Sequence, residues 1–257
     1  MTNEKLRIEE EKDRRNTLIV EHEGKLISFV SVMSLFIDDK IPFECKVAEH
    51  PAIIADKLVK ENLQLPTFGQ ICSLAHRCLH HPNSCTRKTI LYNDLRLLGF
   101  TGTLLTEKGL YIEDNPTRCV DEKVNRRGES YGRWFSMDLN DIERRLSNND
   151  PSVRFVPKDR LERLFQFDNT RRYLEGKELT KLLEDDYLIA LTGSKQTAEK
   201  VVEIAMMQDE PYLMLDIPLT KGIVSLSAFR FSAYTIFGNI WANDNREYSL
   251  GLRLDVK

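Results

Sequence analysis

Cys72, His76, Cys78, His80, His81 and Cys85 fall within one short window, the densest run of thiols and imidazoles in this chain. Sulfur and nitrogen donors of this kind suit zinc, which takes four of them in a tetrahedron when its role is structural. On a helix Cys72, His76 and His80 recur every fourth residue and share a face, and Cys85 folding back would complete four ligands. The spacing argues the other way, because the sequence holds no Cys-x-x-Cys pair of the kind closed zinc sites ordinarily use. Cys72 and Cys78 read more simply as core thiols, and His80 and His81 as cations that complement a helix C-terminus. The expectation is no metal, with Cys72, His76, His80 and Cys85 as the candidates if one is held.

Other chemistry is thinner. Leu191-Thr192-Gly193-Ser194-Lys195-Gln196-Thr197 has the look of a phosphate loop, yet it lacks the first glycine and the four-residue gap, and Gln follows its Lys. Thr192 or Ser194 as a helix cap is the better account. Asp185 and Asp186 are adjacent carboxylates that read as solvated. No nucleophile elbow, zinc-protease helix or dinucleotide glycine pattern occurs. The sequence calls for no catalysis and no cofactor.

The elements that would position these residues follow from periodicity and punctuation. Residues 4–15 read as an exposed charged helix or a disordered leader. Thr17–Gly24 and Lys25–Ile37 read as β-type runs about a turn at Glu23-Gly24-Lys25. Pro51 starts a helix through Ile53, Ile54, Leu58 and Val59. A second helix covers Thr67–Leu79, and a third covers 86–98, capped by Asn83 or Ser84 and ended by a left-handed Gly99. A hairpin over 101–113 follows. Further on, 137–148 and 157–167 read as helices, Tyr187–Leu191 as a strand, Gln196–Met207 as a helix and Tyr212–Ile217 as a strand. The end reads as a meander: 223–231, 233–241 and 248–256. The turn residues at 148–151 mark a domain boundary.

Helix, helix, helix and hairpin over 51–113 resembles a winged helix-turn-helix. The segment TRKTILYNDLRLLGF resembles the third helix of bacterial winged-helix regulators, with Gly99-Phe100-Thr101 as the step into the wing and Gly109-Leu110-Tyr111-Ile112 near its end. The turn before it, Leu79 to Ser84, is longer than the three or four residues usual there. The resemblance implies a DNA contact, with the third helix in the major groove and the wing near phosphate. Its polar face would then present Arg87, Lys88, Thr89, Tyr92, Asn93 and Arg96, and Lys108 would sit on the wing. A second basic segment, Arg126–Trp134, mixes arginine with aromatics and could stack on single-stranded bases, although a partner-docking loop is the plainer account.

Composition bounds this reading. A net charge of −3 argues against a protein that coats polyanions by bulk charge, so any nucleic-acid contact must come from a local patch, and the window between His76 and Lys108 is locally basic. Five cysteines in 257 residues do not form a disulfide framework, which points to a reducing, intracellular compartment, cytoplasmic or nuclear. No apolar run is long enough to span a bilayer, and no membrane partner is expected. The fold expected is α+β: a charged leader (1–16), a winged-helix-like module (17–150, core 51–113, with a flexible stretch at 114–150) and a mixed domain (151–257) ending in the meander. The function expected is non-catalytic nucleic-acid binding, with the C-terminal domain available for a homo-oligomer or a protein partner. The alternative is a structural or interaction protein, for example a self-assembling viral or phage component, that touches no nucleic acid.

Overall fold

The computed structural model describes residues 8–10, 16–30, 51–60, 62–80, 96–118, 135–164, 171–175, 178–184, 186–207, 212–216, 222, 224–231, 235–240, 247–248 and 251–253. Over these residues the protein is α+β, with helices packed on mainly antiparallel sheets.

The smaller sheet has the order β1 (Ile8–Glu10), β2 (Asn16–His22), β3 (Lys25–Val30) and β14 (Gly251–Arg253). Its β2–β3 hairpin closes through Glu23 (φ 50°) and Gly24 (φ 77°). A two-residue loop with both φ positive matches the right-handed twist of the strands it joins. Ile8–Glu10 pairs antiparallel with β2, so this part of the expected helical or disordered leader is a strand.

The larger sheet runs β8 (Val153–Pro157), β5 (Gly109–Asp114), β4 (Arg96–Leu105), β11 (Val224–Phe231), β12 (Thr235–Ile240), β10 (Tyr212–Asp216) and β9 (Arg171–Glu175). A further short strand, β13 (Glu247–Tyr248), lies parallel to the start of β4. A two-stranded piece, β6 (Thr117–Arg118) with β7 (Phe135–Ser136), stands apart.

Both faces of the larger sheet are covered because its strands alternate apolar side chains. One face carries Leu97, Leu110, Ile112, Val156, Leu213 and Leu215 into a core with α2 (Phe68–His80), α6 (Asp186–Thr192) and α7 (Lys195–Met206). The other face buries Leu98, Phe100 and Leu226 under α1 (Pro51–Lys60), and Leu104, Tyr111 and Val153 under α3 (Leu139–Ser147). Three shorter pieces, α4 (Lys158–Leu164), α5 (Glu178–Lys181) and the 3₁₀ turn Leu182–Glu184, complete the described helices. At roughly 1.5–3 kcal/mol for each fully buried Leu or Phe, these two interfaces supply the main driving force for folding.

Helix α2 is fixed at its start by a capping box. Gln70 N donates to Thr67 Oγ1 at 3.3 Å and Thr67 N to Gln70 Oε1 at 2.8 Å, which satisfies two otherwise orphaned donors. Phe68 N donates to Thr101 Oγ1 at 2.9 Å, and Phe100 N to Pro66 O at 2.7 Å, tying the helix to β4. A Cβ on Gly99 would lie 2.5 Å from Phe68 Cα, and one on Gly69 would lie 2.1 Å from Thr192 O. Both glycines are therefore there for close backbone approach.

Several sequence expectations need correction. Residues 96–98, expected at the end of a third helix, begin the ten-residue strand β4. Gly99 is accordingly a strand residue rather than a left-handed helix terminator. The hairpin expected over 101–113 exists, but as β4 and β5 inside the larger sheet, flanked by β11 and β8 rather than free as a wing. Tyr187–Leu191 is helical, because its burial falls on Tyr187, Leu188 and Leu191 instead of alternating. The terminal meander is broken: β12 pairs parallel with β10, and β14 leaves for the smaller sheet. The larger sheet also takes strands from both sides of the boundary expected at 148–151, which is the turn from α3 to β8.

Candidate metal centre

The last two turns of α2 bring His76 and His80 one above the other, as i,i+4 spacing requires. Their ring centroids are 4.3 Å apart. Helix α7 packs alongside, and its Glu203 Oε2 lies 2.6 Å from His76 Nε2. One ligand atom from each of His76, His80 and Glu203 lies within 4.8 Å of the others. Tetrahedral zinc sets its ligands about 3.3 Å apart, so modest side-chain rotation gathers the three around an ion.

The helices under this group are anchored by buried side chains. On α2, Cys72, Ala75, Cys78 and Leu79 are buried, and on α7 Val201, Val202, Ile204 and Ala205 are buried in the same core. The site itself faces solvent: the side chain of His76 is 16% exposed and that of Glu203 is 61% exposed. Burial lowers the pKa of His76, against the raising effect of its bond to Glu203, which favours the neutral imidazole that a metal requires. Lys200, one turn before Glu203, directs its ammonium to Glu21 O (3.2 Å) and Ser73 Oγ (3.5 Å). His22 Nδ1 meets the same Ser73 hydroxyl at 2.9 Å.

Of the four metal candidates in the sequence, the structure brings His76 and His80 together. Cys72 is fully buried among apolar side chains, and burial raises its thiol pKa well above the ordinary value, so it belongs to the core. Cys78 is likewise buried, its pKa pushed up to about 12. Cys85 lies outside the described residues. The sequence missed Glu203. It sits on the polar face of a helix with no local signature and reaches His76 only through helix packing.

The residues proposed for nucleic acid are placed less fully. Arg87, Lys88, Thr89, Tyr92 and Asn93 lie outside the described residues, as does the basic segment 126–134. Arg96 is the first residue of β4, where its register partners are Arg230 on β11 and Glu247 on β13. Lys108 lies in the β4–β5 turn and donates to Glu143 Oε1 at 2.7 Å, which raises its pKa. That pair is exposed on both sides, so it contributes little to stability.

A shallow cleft of about 480 Å³ lies between β8, α4 and α6. Its charges are already matched: Arg154 donates to Asp114 (2.7 Å), and Arg160 pairs with Asp186. Among the described residues no helix is long and apolar enough to cross a membrane.

No family model and no curated protein matches the sequence. A solved structure on how the C-type lectin fold accommodates massive sequence variation in Nanoarchaeota aligns with 78% of this chain and 93% of its own. The identity is 14% and the TM-score 0.49, a likeness too slight to bear on what this chain does.

Proposed function

We propose that this chain is a non-catalytic interaction protein that self-assembles through the outer edge of its smaller sheet. The supporting observation is the position of β14. It ends the strand order of that sheet, bonded to β3 on one side and to no other strand among the described residues. Such an edge presents backbone donors and acceptors to a further strand, and a second copy offers the same edge in return. The test is molar mass by light scattering across a concentration series, for the wild type, Leu252→Pro and Arg253→Pro. Successive N–H groups along a strand point to opposite sides, so one of the two prolines removes an outward donor and spares the pairing with β3. A mass that rises with concentration and falls in one folded variant supports the reading. A monomer at every concentration overturns it.

Nucleic-acid binding is the second reading, favoured by one specific observation. In backbone register Arg96 of β4 lies beside Arg230 of β11, at the end of a sequence stretch that also holds Arg87 and Lys88. A run of basic residues in a chain of net charge −3 is where a phosphate contact would fall. A winged-helix docking would need a helix through 98, whereas β4 begins at Arg96. Anisotropy with duplex and single-stranded DNA, titrated with salt, tests it for the wild type, Arg87→Ala/Lys88→Ala and Arg96→Ala. Binding that weakens steeply with salt and drops in these variants supports the reading. No change in anisotropy at low salt with saturating protein removes it.

A further inference from the structure

We propose that His76, His80 and Glu203 form a binding site for one divalent transition-metal ion, of the zinc class, held by two imidazoles and one carboxylate with coordination left open to solvent. Two histidines one helical turn apart form a ready chelate, and a carboxylate from a neighbouring helix supplies the third ligand. This donor set selects zinc, cobalt or nickel over calcium and magnesium, which prefer all-oxygen shells.

Two features of the surroundings favour an ion there. The ligands stand on helices whose opposite faces are locked into one core, so little ordering is left to do on binding. His80 is the last residue of α2, where the unsatisfied carbonyl end of the helix favours positive charge. Lys200 on α7 is turned toward Glu21 O and Ser73, and its charge still acts on His76 against an added cation. In the ion-free state the 2.6 Å bond between His76 and Glu203 holds two of the three ligands facing each other. An entering ion replaces that bond with two stronger ones and draws in His80. With three protein ligands, the ion keeps at least one position for water or for a group from outside the site. That is the pattern of an accessible centre rather than a closed structural one.

The site is independent of the assembly edge on β14, so either proposal can fail alone. The experiment is titration of untagged, chelator-treated full-length chain with Co²⁺ and Zn²⁺, followed by cobalt visible absorption and calorimetry. Parallel titrations use His80→Ala, Glu203→Gln and, as a control for the thiols, Cys85→Ser. One ion is expected per chain, with affinity reduced about a hundredfold or more in His80→Ala and at least tenfold in Glu203→Gln. Cys85→Ser is expected to bind like the wild type, with no thiolate-to-cobalt charge-transfer band in any sample. Both ligand substitutions are at exposed side chains, and far-UV circular dichroism is to check that the variants remain folded. Absence of binding at micromolar ion, or binding that survives His80→Ala and Glu203→Gln unchanged, overturns the proposal. Loss of binding in Cys85→Ser alone does the same, since it assigns the ion to a thiol site.

Discussion

The two ends of α2 are built on opposite terms. At its start there is no spare room: Phe68 is buried, its N–H is taken by Thr101, and Gly69 and Gly99 let two backbones come closer than any side chain permits. At its finish one face of the helix is polar, and there His76 and His80 meet one carboxylate from a neighbour at the solvent boundary. The difference separates what the fold requires from what it leaves available. A substitution at the first end should be read as a stability effect, and one at the second as a binding effect.

Gly99→Ala is the most severe way to test the first half of that contrast. Its Cβ would lie 2.5 Å from Phe68 Cα, and neither strand nor helix backbone can step aside without disturbing β11 or Thr101. A loss of about 3 kcal/mol is expected, read from urea unfolding midpoints at constant slope. A loss under about 1 kcal/mol would show that the start of α2 is looser than described. Thr67→Ala removes one half of the capping box and should cost about 1 kcal/mol in the same measurement.

His22, which meets the middle of α2 at Ser73, sharpens the comparison through pH. Burial depresses its pKa below the usual 6.5. The stability carried by the neutral ring is therefore present above that value and is lost as pH falls through the folded-state pKa. Chelator-treated protein should lose melting temperature as pH falls below about 6.5, and His22→Gln should flatten part of that slope. A variant slope identical to the wild type would remove the assignment. The smallest effect is expected at the far end: His80→Ala should change ion-free stability by no more than about 0.5 kcal/mol. A larger loss would make His80 a packing residue and erase the distinction between the two ends.

Much of the local structure was legible because it depends on neighbours in the chain. Pro51 ahead of Ile53, Ile54 and Leu58, Glu23-Gly24 between two β runs, and Ser194 before an amphipathic stretch each contain their own cause. The failures lie where distant residues decide. Leu95, Leu97 and Leu98 suit a helix end as well as a strand, and only β11 and β5 on either side of 96–105 settle the matter. Tyr187–Leu191 is a short apolar run, and such a run has no period of its own to separate helix from strand. The candidate site divides the same way. His76 and His80 are visible as an i,i+4 pair, whereas Glu203 joins them only once α7 is packed on α2. The coarse α+β class survived these errors because hairpins and amphipathic helices are both locally written.

The pairing of Gly251 with Val30 sets a condition on timing. The β2–β3 hairpin can close early, since its loop is two residues long, but the far side of β3 must wait for a strand from near the other end of the sequence. During synthesis that edge stays uncapped while nearly everything between is made, and long-range pairings of this kind are slow to form. A chain interrupted before residue 251 would thus carry a folded hairpin with an open flank. The hairpin is exposed to wrong partners for as long as that pairing is delayed.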